Sequence, residues 1–328
     1  MTELFANIVA PWDGGAPWSN MRIVCSWLLG IPRSEVGQSM DVTGSVETKD
    51  PNDTNKEVRR IYEDLFGSVL FDKVEHTLHD VVELFDGKYP GYRKCDTGYH
   101  DLEHTLQVYL AMARIFDGFI REDYGEISKH SVVLGLIAAL GHDTGFIKEM
   151  WDTEGSGAKY TLVHTARSRE FMEKYLPQLG FDSLQIRQVQ NIIGYTGIPS
   201  VHSPRVNLTS DDERGIGYIL GTADYLGQMS APDYLERLPI LYEEFKEGGV
   251  PGYTSAQDLM ERTPSFFEDV VMRVLSEDFH SVYQLVASHF GGKNLYIEGI
   301  KKNMELLRDY LRLETQRPSP SDDLGPKG

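Results

Sequence analysis

Apolar residues recur at spacings of three and four through most of the chain beyond position 56. The pattern runs through "EVRRIYEDLFGSVLFDKVEHTLHDVVELF", "DLEHTLQVYLAMARIF", "ISKHSVVLGLIAALG", "TARSREFMEKYLPQLG" and "SLQIRQVQNIIGY". It continues in "ERGIGYILGTADYLGQM", "YLERLPILYEEFKEG", "SFFEDVVMRVLSEDFHSVYQLVASHF" and "YIEGIKKNMELLRDYLRLETQ". Such spacing puts one apolar stripe on each helix, whereas a half-buried strand needs alternation, which is nearly absent. The pattern predicts an all-α domain over 56–315 with about nine helices and no internal repeat. Residues 1–55 read as an irregular extension with one short helix in "MRIVCSWLLGIP" and then a polar, turn-rich linker, "TGSVETKDPNDTNKE". The end, 316–328, is rich in Pro, Ser and Gly and reads as a flexible tail.

Composition narrows the partners. Acidic residues number 50 against 32 basic, a formal charge of -18, so the chain repels a nucleic-acid duplex. Two cysteines, Cys25 and Cys95, do not make a disulfide framework or a cysteine-rich zinc site, and they fit a reducing cytoplasm. The longest apolar run, "VVLGLIAALG", is too short to span a bilayer, and no basic leader precedes an apolar stretch at the N-terminus. The expectation is a cytoplasmic protein with no membrane partner; the oligomeric state stays open.

The run "AALGHDTGF" places His142 and Asp143 at the end of that oily helix, where Gly145 is expected to stop it. His100 and His104 in "YHDLEHTLQV" are four apart, hence expected on one helical face, with Asp96 or Thr97 as the cap. Asp224 sits among apolar neighbours in "GYILGTADYLGQM". A buried carboxylate needs a cation, a metal or a proton. One divalent ion answers for His104, His142, Asp143 and Asp224 together, with a mixed nitrogen and oxygen shell that suits zinc, manganese, iron or nickel better than calcium. A second "HD", His79 and Asp80, lies on an amphipathic helix with charged neighbours and reads as a solvated face. His76, His130, His202, His280 and His289 read as structural or solvated.

Taken in order, "YHDLEHTLQV", "LIAALGHDTG" and "TADYLGQM" resemble the HD superfamily of metal-dependent phosphohydrolases. The first motif resembles the "YHNxxHAxxV" signature of cyclic-nucleotide phosphodiesterases, and the resemblance covers roughly residues 60–230. It implies an all-helical bundle in which His104, His142, Asp143 and Asp224 hold a first metal. It also implies that Asp143 bridges to a second metal and that His100 protonates the leaving oxygen. The chain departs from the phosphodiesterase pattern in having Asp101 for Asn and Phe146 where those enzymes carry another His. No glutamine stands out as a purine clamp; Gln284 and Gln228 are the ones to consider.

The activity so implied is hydrolysis of a small-molecule phosphoester, a nucleotide or cyclic nucleotide, by a metal-bridged hydroxide. Two divalent ions are expected, among Mn, Zn, Mg, Fe or Ni. Asp101 or Glu103 is the expected acceptor that orients an imidazole. His164, Lys148 and Arg167 are candidates for a second metal or for phosphate contact, with Arg169 nearby. The loop around "TEGSGAKY" reads equally as a lid or as plain surface. Two rival readings are a di-iron HD-type oxygenase, disfavoured by Phe146 where those enzymes prefer Lys, and a non-catalytic nucleotide-sensing helical domain.

Overall fold

The computed structural model describes residues 39–197 and 211–315. The predicted helix in "MRIVCSWLLGIP", His202 and the 316–328 tail lie outside the described residues. Among those described, the regular structure is all helical: α1 (Pro51–Phe66), α2 (Phe71–Phe85), α3 (Leu102–Arg121), α4 (Lys129–Gly141), α5 (His164–Tyr175) and α6 (Ser183–Ile193). These are followed by α7 (Asp211–Met229), α8 (Tyr234–Glu247), α9 (Ala256–Ser265), α10 (Val286–His289) and α11 (Leu295–Thr315). No helix among them is long and apolar enough to cross a membrane.

Local chemistry sets most boundaries. Asp50 caps α1 by accepting from Asn52 N, with Pro51 in the first turn, where its missing N–H costs nothing. Asp182 and Gln185 close a capping box on α6. The periodic stretch 57–85 is two helices rather than one, broken where Gly67 (φ 68°) and Leu70 (φ 73°) take left-handed values. The long run 265–290 also breaks up. Pro264 sits inside α9, π-helical turns follow at Phe266–Val271 and Val274–Asp278, and His280 and Ser281 turn the chain at positive φ before the short α10.

α3 runs through the middle, buried from Glu103 to Gly118. It packs on α1, α4, α7 and α10, and α4 in turn lies against α2, α6 and α7. Every residue of α4 from Val132 to Gly141 is buried. The α3–α7 approach is close because Gly227 has no side chain: a Cβ there would stand 3.0 Å from the Gln107 carbonyl carbon. That crossing brings the first turn of α3 and the middle of α7 to one place.

Helical structure begins at Pro51, ahead of the expected 56, and residues 39–50 are packed rather than loose. Asp41, Val46 and Thr48 are buried. The Asp41 carboxylate takes Arg114 Nη2 at 2.5 Å, while Arg114 Nη1 donates to Tyr296 Oη at 3.1 Å. The pair ties this segment to α3 and α11. Breaking a buried pair by removing one partner strands a charge and costs about 3–5 kcal/mol. Arg114→Leu is therefore expected to lower stability by that order in denaturant unfolding, and Arg114→Leu with Asp41→Leu by clearly less. Equal losses would mean that the ion pair itself is not what anchors the segment.

His79, 70% exposed, lies at the surface as expected. His289 is half-buried and donates from Nδ1 to Asp117 at 2.7 Å, a structural link between α10 and α3.

Candidate metal centre

Three packed elements converge on one buried point. His104 is in the first turn of α3, which is capped by Asp101 accepting from His104 N at 3.0 Å; Asp96 and Thr97, the expected caps, lie in the loop before it. α4 ends at Gly141, and His142 and Asp143 follow as the chain tightens into a 3₁₀ turn, Thr144–Phe146. Gly145 therefore does not end the helix. A Cβ there would stand 2.0 Å from His164 O, so glycine is what lets α5 approach. Asp224 comes from α7.

His104, His142 and Asp143 form a buried cluster that can hold a metal ion. Asp143 Oδ2 is 3.2 Å from His104 Nε2 and 3.1 Å from His142 Nε2. Asp224 Oδ1 is 3.3 Å from His104 Nε2 and 4.0 Å from His142 Nε2, and the two Nε2 atoms are 3.3 Å apart. Ligands about 2.0–2.2 Å from one ion stand roughly 3.0–3.5 Å from each other, so most of these spacings match a shared cation.

The proton inventory agrees. The His142 Nδ1 donates to Ala139 O at 2.7 Å, since a carbonyl only accepts, so a neutral His142 turns a bare lone pair on Nε2 toward the cluster. Asp143 Oδ2 is buried with no hydrogen-bond donor in place, and His104 Nδ1 is buried without a partner. Burial alone pulls the His104 imidazole down, but the carboxylates of Asp143 and Asp224 overcome it and push it up to about 10. Asp143, for its part, is held well below the usual carboxylate range by His142 and His104, against the effect of burial. The two carboxylates favour positive charge between them, which a protonated His104 or a divalent cation in its place would supply.

His100 precedes α3 instead of sharing its face. Its Nδ1 donates to Glu244 Oε2 at 2.6 Å, and the ring lies 5.6 Å edge-on from that of His104. Glu244, buried on α8, also accepts from Tyr99 N at 2.6 Å and His100 N at 3.3 Å. Burial opposes its charge, yet His100 and these N–H groups hold its carboxyl below the ordinary range. Asp101 and Glu103, the expected acceptors, instead bind Arg237 of α8 at 3.0 and 3.1 Å. Glu244 is thus the residue that sequence reasoning missed. It is one of many acidic residues on an amphipathic helix, and only the packing of α8 on the 96–101 loop distinguishes it.

His164 donates from Nδ1 to Thr161 O at 2.7 Å, which leaves Nε2 free of a proton in its neutral form and 3.7 Å from Asp143 Oδ1. The Phe146 ring stacks on both His100 and His164 at 4.5 Å and offers no ligand. Lys148 and Arg167 do not reach the cluster. The Lys148 ammonium binds Asp96 at 2.7 Å and Gly155 O, and the Arg167 guanidinium binds Gly145 O at 2.7 Å, Ile147 O at 3.0 Å and Glu149 at 3.1 Å. Both cations brace the loops around the site, because buried carbonyls there need donors. The "TEGSGAKY" loop is likewise tied down, with Gly157 N bound to Asp96 at 2.8 Å and Ser156 Oγ to Glu247 at 2.7 Å.

A cavity of about 320 Å³ opens from the cluster between α7, α8, α9 and the π-helical turns. Gln228 reaches its wall, but its Nε2 donates to Asp224 O and Oδ1 at 3.0 and 3.2 Å and its Oε1 accepts from Tyr99 Oη at 2.8 Å. Gln284 is exposed and lines no part of it.

A search of curated proteins and one of solved structures each found no match. A family model described as Npun_R2479-like matches residues 151–303, a stretch that takes in His164, Asp224 and Glu244 but begins after His100, His104, His142 and Asp143.

Proposed function

We propose that this chain is an HD-type, metal-dependent phosphohydrolase acting on a small phosphoester, with nucleotides and cyclic nucleotides as the first substrates to test. The observation that carries this reading is the cluster of His104, His142, Asp143 and Asp224, whose Nε2 and carboxylate atoms meet at ligand spacing in a buried place. Asp143 has one oxygen toward His104 and His142 and the other toward His164, so Asp143 would help to hold a first ion with those two histidines and, with His164, a second. Bound divalent ions would lower the pKa of water and neutralise charge on the phosphoryl oxygens.

The rest is done by side chains. Glu244 fixes the Nδ1–H tautomer of His100, so Nε2 is the atom that gains and gives a proton at the cavity. The carboxylate on Nδ1 holds the ring in place, and in the protonated ring Nε2–H donates to the leaving oxygen. The stacked Phe146 ring restricts His100 to one plane and keeps water from that side. Arg237 pairs with Asp101 and Glu103 and so holds the loop that carries His100.

Elemental analysis of the purified protein is expected to show divalent metal, and the manganese-, zinc- or nickel-loaded protein is expected to turn over at least one phosphoester. The panel is cyclic nucleotides, nucleoside monophosphates and dinucleotides. A protein that binds nucleotide yet turns over none of these with any of the three metals would favour a sensor and overturn the reading.

A further inference from the structure

We infer that the cavity beside the cluster takes a phosphomonoester whose phosphate is its single charged group and whose remaining part is apolar and ring-sized. This keeps the phosphoester chemistry of the proposed hydrolase but ranks nucleotides below apolar monoesters, and it rests on that reading for where the phosphate sits.

The wall carries the argument. Apart from the histidines and carboxylates, most of it is aromatic and aliphatic, as at Leu238, Phe245, Val274 and Phe279. Among the described residues no Lys or Arg lines it. Lys148, Arg167 and Arg237 are committed to carboxylates or carbonyls outside it. Extra phosphates are recognised chiefly by arginine and lysine, so a di- or triphosphate would carry unpaired charge into an apolar space within an acidic protein. A nucleobase fares poorly for another reason. Its ring edge holds several donors and acceptors, and each one buried unpaired costs roughly 1–3 kcal/mol. Against those, the wall offers chiefly the hydroxyls of Tyr195, Tyr225, Tyr234 and Tyr253, since its other polar side chains away from the cluster are engaged. The Gln228 amide is spent on Asp224 and Tyr99. Thr161 and Thr263 donate to Ala158 O and Leu259 O at 2.6 and 2.8 Å.

An apolar ring avoids both penalties. It displaces water from surfaces such as Phe245 and Tyr253, which are stacked with centroids 5.9 Å apart. The volume of about 320 Å³ lies at the small end of ligand sites, enough for one or two rings beside a phosphate.

Binding can be separated from turnover with hydrolysis-resistant phosphonates. Manganese-loaded protein is titrated calorimetrically with inorganic phosphate, naphthylphosphonate and the phosphonate analogues of AMP and ADP. Naphthylphosphonate is expected to bind about tenfold or more tightly than inorganic phosphate and than the AMP analogue, given the area it buries, with the ADP analogue weakest. An AMP analogue that binds as tightly as naphthylphosphonate, or more so, overturns the inference. Tyr253→Ala, at a half-buried site, is expected to weaken naphthylphosphonate about tenfold and leave inorganic phosphate unchanged; equal weakening of both also overturns it. If removing manganese changes none of the affinities, the metal-centred reading fails, while the ranking of ligands still decides the present inference.

Discussion

Asp143→Asn is expected to lower divalent-metal affinity by about a hundredfold or more, since removing even a group that only orients a ligand typically costs 10–100-fold. Phosphoester turnover should fall by about a thousandfold or more with it, because the lost charge stabilisation is several kcal/mol. The position explains the size of the effect. One carboxylate oxygen faces His104 and His142 and the other faces His164, so both of the proposed ligand sets would depend on it. Thermal unfolding gives an independent readout. Chelation should lower the Tm of the wild-type protein, since a ligand at a hundred times its Kd contributes about 2.7 kcal/mol. The Asn variant should be indifferent to the chelator. A variant that retained full metal content would remove Asp143 from the ligand set.

The second large effect is expected at His100 and its partner. His100→Gln should slow turnover by about a hundredfold to ten-thousandfold while the metal content stays at the wild-type level. The reason is geometric: His100 faces the cavity but makes none of the short contacts within the cluster. Glu244→Gln keeps the shape, removes the negative charge at Nδ1 and should cost about 10–100-fold. Leaving groups distinguish proton donation from mere support. An ester of a poor leaving group, such as an alkyl phosphate, needs the proton; a nitrophenyl ester does not. Both variants should therefore be far more impaired on the alkyl ester. Equal losses on the two esters would assign His100 a structural role.

Asp101 and Glu103 stand next to the histidines and are natural choices as orienting acceptors, yet both turn to Arg237. The acceptor that reaches His100 lies far along the chain on α8. Similarly, Lys148 and Arg167 are close in sequence to the cluster and look suited to phosphate, but their charges go to carbonyls and carboxylates of the loops. A cation near buried carbonyls satisfies them before it can serve a ligand, because an unpaired buried carbonyl is costly.

What the sequence by itself determined is what local pattern encodes. The spacing of apolar residues at three and four marks helices, since it places side chains on one face wherever the helix lies. The polar residues His104, His142, Asp143 and Asp224 stood out because each interrupts an apolar stretch that will be buried, and burial demands a partner. Tertiary structure decided the rest. It brought α7 against α3 at Gly227, so that Asp224 meets His104; it chose Glu244 over its acidic neighbours; it tied Gln228 to Tyr99; and it packed residues 39–50 onto the core through Asp41 and Arg114. These pairings join residues 73 to 144 positions apart, and no periodicity within one stretch of chain carries that information.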